Sequence, residues 1–127
     1  MLHLALVFVG AGSGGVARYL LATAVQTRYG PALAGLPVGT LAVNLLGSTA
    51  IGAVVAMWGG QQWVRLLVIA GFLGGFTTFS TFSRETVELL EAGRPGAAAL
   101  SAGASLTGCL LGAWLGFLAG RCLGASG

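Results

Sequence analysis

The chain contains no lysine and no aspartate. Its six basic residues are all arginine, and its three acids, Glu85, Glu88 and Glu91, lie in one short segment. Charged residues make up 7% of the 127, against about 25% in an ordinary soluble domain. So few charges cannot solvate the surface of a soluble fold, and that class is excluded. A net charge of +3, scattered along the chain, also excludes a nucleic-acid-binding stripe. Cys109 and Cys122 stand 13 residues apart on one apolar run. On a helix that is roughly 20 Å, too far for a bridge within the chain. His3, the lone histidine, has no Cys, Asp or Glu near it, and no zinc, haem or nucleotide motif is present. What remains is apolar: 56% of the residues are hydrophobic. The class is an all-α integral membrane protein, one domain over residues 1–127.

The spans are expected at about 4–26, 37–58, 64–91 and 97–119. The first is apolar from Leu2 without a basic leader and is followed by further spans, so it reads as a span and not a cleaved signal. Gly10 and Gly14 have the small-xxx-small spacing of close helix contact. Arg18 lies well inside the apolar run, where it either snorkels to the interface or faces an aqueous vestibule. Pro37 reads as a first-turn residue of the second span. That span is uncharged, and Asn44 is its one strong polar side chain. Buried, Asn44 is either interhelical glue or an amide whose N–H donors face a pore. Trp58 and Trp63 flank the next turn as belt residues. After the turn at Gly93–Gly96, the fourth span repeats Gly108, Gly112, Gly116 and Gly120, a face for backbone contact. Ser101 and Ser105 extend that stripe; they bond back to their own helix or line a polar groove.

The third span holds the least ordinary stretch, GFLGGFTTFSTFSR from Gly71 to Arg84. Gly74 and Gly75 are adjacent and weaken a helix. Thr77, Thr78, Ser80, Thr81 and Ser83 follow, and Phe76, Phe79 and Phe82 recur every third residue as one slanting stripe. The composition suits either a packing face or a helix that breaks, exposes carbonyls and resumes. Arg84, Glu88 and Glu91 share a face that meets water or a partner. Glu85 and Glu88 lie nearer the hydroxyl run.

Four spans put both termini on one side. Arg65 and Arg121 then mark one side and Arg28 and Arg94 the other, two against two. The positive-inside bias is absent, so the chain is expected to insert in both orientations and to pair as an antiparallel, dual-topology homodimer.

GGFTTFSTFSRE strongly resembles the signature of the Fluc/CrcB family of fluoride channels, and GTLAVNLLG around Asn44 is a second match. Arg18 in GGVARYL and the GASL segment around Ser105 match more weakly. The resemblance covers nearly the whole chain. It implies a homodimer in lipid with two antiparallel pores that passively export fluoride from the cytoplasm across the cell membrane. Phe79 and Phe82 match the two pore phenylalanines, whose positive ring edges would face the anion. Asn44, Thr81 and Ser105 would supply neutral donors, and Arg18 would flank the path. Neutral donors suit conduction, which needs sites that also let go. Gly74 and Thr77 match positions whose backbone carbonyls hold a structural sodium ion at the dimer centre. One departure stands out: Ser101 occupies the place of a fourth-span tyrosine, so the aromatic wall is less complete there.

A proton-coupled exporter of the small multidrug type is the rival reading. It needs a carboxylate in the membrane interior, and the first two spans have none. A purely structural subunit would explain the glycine stripe but not the hydroxyl–phenylalanine run or Asn44.

Overall fold

The computed structural model describes residues 1–124, and among them every element is helical. Helix α1 is Leu2–Tyr29 and α2 is Val38–Trp58. The third span is composite: a π-helical segment Val64–Leu73, a single turn α3 at Gly74–Phe76, and α4 at Phe79–Glu91. Helix α5 is Pro95–Gly124. Four stretches, Leu2–Tyr29, Val38–Trp58, Val64–Glu91 and Pro95–Gly124, are long and apolar enough to cross a membrane.

The helix ends follow their breakers. Nothing stops α1 before Gly30–Pro31, so it outruns its apolar core. Pro95 takes the first position of α5, where its missing N–H costs nothing. The preceding turn tightens onto Gly93, whose φ is +70°. Pro37 precedes the first turn of α2 instead of lying in it.

Backbone contact holds the bundle together along two seams. In the first, α1 lies against the third span. A Cβ on Gly10 would stand 2.3 Å from the Leu67 carbonyl, and one on Gly14 would stand 2.1 Å from the Phe72 carbonyl. From the other side, a Cβ on Gly75 would meet the Ala11 carbonyl at 2.4 Å. In the second seam, α2 lies against α5. Gly52 faces the Ala113 carbonyl and Gly116 the Thr49 carbonyl, each with only 2.0 Å left for a Cβ. Lipid supplies no hydrophobic drive between helices, so this close van der Waals contact takes its place. The apolar core is correspondingly thin, centred on Val43, Val64, Leu73, Leu89 and Ala98, while Phe8, Leu110 and Phe79 point outward. At one end, Arg94 Nη2 donates to the Ala34 carbonyl at 2.8 Å and joins the α1–α2 and α4–α5 connections.

Candidate functional site

Between α3 and α4 the backbone runs extended: Thr77 has φ −87° and ψ 158°, Thr78 φ −152° and ψ 114°. Local chemistry favours this. Gly74 and Gly75 weaken the preceding turn. Thr78 is a good N-cap, and its Oγ1 accepts from the Thr81 N–H at 3.1 Å. Gly47 on α2 leaves the space that the Thr77 methyl needs, since a Cβ there would lie 2.3 Å from Cγ2.

Asn44 holds the extended residues from α2. The Thr78 N–H donates to Oδ1 at 2.7 Å, and Nδ2 donates to the Thr78 carbonyl at 3.0 Å. The reciprocal pair fixes which amide atom is which. Of the two alternatives for Asn44, the bonds to Thr78 are the interhelical glue; they use Oδ1 and one N–H and leave the second N–H outside the pair.

These bonds have a consequence for two carbonyls. In an unbroken helix, the Thr78 N–H would bond the Gly74 carbonyl and the Thr81 N–H the Thr77 carbonyl. Here both donors are diverted, one to Asn44 and one to the Thr78 hydroxyl. Gly74 and Thr77 therefore keep oxygen lone pairs that their own helix does not take up, and Gly74 is exposed at mid-span. Hard carbonyl oxygens of this kind fit a sodium ion.

Two cavities meet at Thr78. One, of about 270 Å³, is bordered by Asn44, Ser48, Thr78, Phe79, Phe82 and Ser105, with Cys109 beyond, and no charged residue lines it. The other, of about 460 Å³, contains Arg18, Thr40, Thr81, Arg84 and Glu85. The sequence-assigned residues thus divide: Asn44, Phe79, Phe82 and Ser105 share the neutral groove, and Arg18 and Thr81 the charged vestibule. The Phe79 and Phe82 rings lie 5.3 Å apart, tilted by 47°. Phe76 does not continue their stripe. It lies before the extended residues and stacks on Phe72 at 5.9 Å instead. Ser101 is buried but borders neither cavity.

The hydroxyls form a relay around Thr78. Its Oγ1 donates to Thr81 Oγ1 at 3.0 Å and lies 3.2 Å from Ser80 Oγ. Thr81 Oγ1 accepts in this contact and borders the vestibule, and its own proton is not used in the relay. Ser83 and Thr86, by contrast, return theirs to the Phe79 and Phe82 carbonyls. In the vestibule, Thr40 Oγ1 donates to Glu85 Oε1 at 2.9 Å, and Arg84 Nη2 stands 3.9 Å from the same oxygen. Glu85 Oε2 is buried with no hydrogen-bond partner among the described residues. Arg84 also bonds Glu88 one turn on. Sequence reasoning missed Thr40, because only the tertiary fold brings it to Glu85.

A family profile described as CrcB-like protein, Camphor Resistance (CrcB), matches residues 5–117. The chain belongs to the CrcB family. Similar proteins bear the name fluoride-specific ion channel FluC. One from Coxiella burnetii (strain Dugway 5J108-111) is 43% identical over 125 residues, covering 94% of this chain and 98% of the relative. One from Geobacter sulfurreducens is 49% identical over 112 residues, covering 85% and 88%. One from Granulibacter bethesdensis is 49% identical over 112 residues, covering 84% and 85%.

Proposed function

We propose that this CrcB protein is a fluoride-selective channel that lets the ion pass down its gradient, two chains pairing antiparallel to give two pores. One observation carries the reading: the groove beside Thr78 offers neutral donors and aromatic edges with no fixed charge. An anion drawn into the vestibule by Arg18 sheds water against the Thr81 hydroxyl. It then passes to the free Asn44 N–H, the Ser105 hydroxyl and the positive edges of Phe79 and Phe82. Each contact replaces part of a hydration shell, and none is a cation that would trap the ion. The names of the relatives supply the choice of fluoride.

The groove is open along one side, and Phe79 on its rim is 72% exposed. A second copy would close it. The same pairing would bring two pairs of Gly74 and Thr77 carbonyls together, enough oxygens to hold a sodium ion as a structural centre. The ion would fix the two interrupted spans to each other. A proton-coupled exporter would need a carboxylate where the cargo binds; the groove has none, and Glu85, at the vestibule that leads to it, is bonded to Thr40.

The test is fluoride efflux from proteoliposomes with an ionophore carrying the countercharge and chloride as control. Fluoride efflux without proton or sodium coupling is the expected result. Drug–proton exchange with no fluoride flux would overturn the reading.

A further inference from the structure

Gln26 lies one turn from the end of α1 and has no place in the path described above. Its amide nevertheless makes two contacts outside its own helix. Nε2 donates to the Leu36 carbonyl at 3.1 Å, and Oε1 accepts from the Gly39 N–H at 3.0 Å. Gly39 is the second residue of α2, so its N–H is one of the donors that a helix start leaves without an internal partner. Pro37, in the capping position, has no side chain that can accept it. Gln26 supplies the missing acceptor from a neighbouring helix.

Two glycines make room for that amide. A Cβ on Gly30 would stand 2.4 Å from Gln26 Nε2, and a Cβ on Gly39 would stand 2.3 Å from the Ala22 carbonyl and 3.1 Å from Gln26 Cβ. The first turn of α2 is thereby pinned onto α1. The next residue along that turn is Thr40, whose hydroxyl reaches Glu85 Oε1. Gln26 and Glu85 also border the same two cavities.

We propose that Gln26 is a positioning residue for the vestibule: it fixes the first turn of α2, and through it the Thr40 hydroxyl that ties back the Glu85 carboxylate. The physical effect is electrostatic. With Thr40 in place, one Glu85 oxygen is held against α2. With the turn loose, the carboxylate loses that bond, keeps only the long contact to Arg84 at 3.9 Å, and can swing into the cavity that holds Arg18, where it opposes an arriving anion. A field of this kind acts on the rate of anion access and weakens with ionic strength.

The inference rests on the channel reading, and its test separates the two. Fluoride efflux is measured for the wild-type dimer, Gln26→Met, Thr40→Val and the double variant, each at low and high concentration of an impermeant salt. Wild-type flux establishes the channel independently. Each single variant should elute as a dimer and lose roughly three- to tenfold of its initial flux at low salt, with the deficit shrinking at high salt. The double variant should be no worse than the more severe single one, because both break one linkage. Multiplying deficits, a salt-independent deficit or wild-type flux in Gln26→Met would each overturn the proposal. Should Gln26→Met not fold, hydrogen exchange at the Gly39 amide decides it. The amide should be protected in both the wild type and Thr40→Val; rapid exchange in the wild type overturns the proposal.

Discussion

Asn44 pairs with Thr78 as one peptide group pairs with another. Its amide gives the Thr78 N–H an acceptor at 2.7 Å and its carbonyl a donor at 3.0 Å. A side chain on α2 thus does the work of the helix that the third span gives up at this point. The expected outcomes below follow from that exchange and from the seams around it.

Asn44→Ala should leave the Thr78 N–H unmet at membrane depth, costing about 1–3 kcal/mol for a buried group left unpaired, while the Thr78 carbonyl keeps the first intrahelical bond of α4. The thermal unfolding midpoint, followed by tryptophan fluorescence, should fall. Asn44→Asp retains the acceptor for the Thr78 N–H but sets a carboxylate against the Thr78 carbonyl and the anion. It should unfold closer to the wild type yet lose most fluoride flux. Normal flux in Asn44→Asp would remove this residue from the path.

Phe79→Ile and Phe82→Ile keep an apolar, bulky side chain but delete the ring edge. Hydrophobic swaps of this kind usually cost under roughly 1.5 kcal/mol, so both variants should purify as dimers. Liposome efflux should nonetheless drop sharply in each. Wild-type flux in both would mean that the rings only fill space.

Gly14→Ala should prise α1 from the third span, because the new Cβ would meet the Phe72 carbonyl at 2.1 Å. Overpacking of this kind typically costs about 1–3 kcal/mol. Gly15→Ala, with nothing within 4 Å of its Cβ, is the control and should be neutral or mildly stabilising. Equal melting temperatures for the two variants would contradict the seam.

Reporter fusions at the C-terminus should signal from both sides of the membrane. Arg28 and Arg94 mark one end of the bundle and Arg65 and Arg121 the other. Two or three lysines added beside Arg121 should drive the population to one orientation. A one-sided wild-type signal would exclude dual topology.

Exchange of sodium for a bulky organic cation should lower the unfolding temperature of the purified dimer, since an ion bound only by the folded pair stabilises it by mass action. The midpoint should rise again as sodium is returned. A midpoint indifferent to sodium would leave the Gly74 and Thr77 carbonyls without that role.

Local chemistry made much of this legible. The scarcity of charge and the long apolar runs pointed to membrane helices, and GGFTTFSTFSRE pointed to the family, because such signals reside in consecutive residues. What depends on distant residues was not legible. Asn44 and Thr78 are 34 residues apart, and Thr40 and Glu85 are 45 apart. Neither pairing leaves a mark on local periodicity. The three-residue spacing of Phe76, Phe79 and Phe82 assumed one continuous helix, and the extended Thr77–Thr78 pair removes Phe76 from the set. The π-helical winding of Val64–Leu73 was equally hidden, since VRLLVIAGFL is as acceptable to an α-helix.

The glycine seams carry a consequence for handling the protein. Where two backbones touch without side chains between them, parting the helices uncovers a strip of bare backbone on each. A slender detergent chain can compete for that strip where a bulkier one cannot. Solubilising agents with slender, short tails should therefore act as denaturants of this bundle at concentrations where bulkier amphiphiles leave it intact, while urea, which draws its strength from water-exposed surface, should do comparatively little.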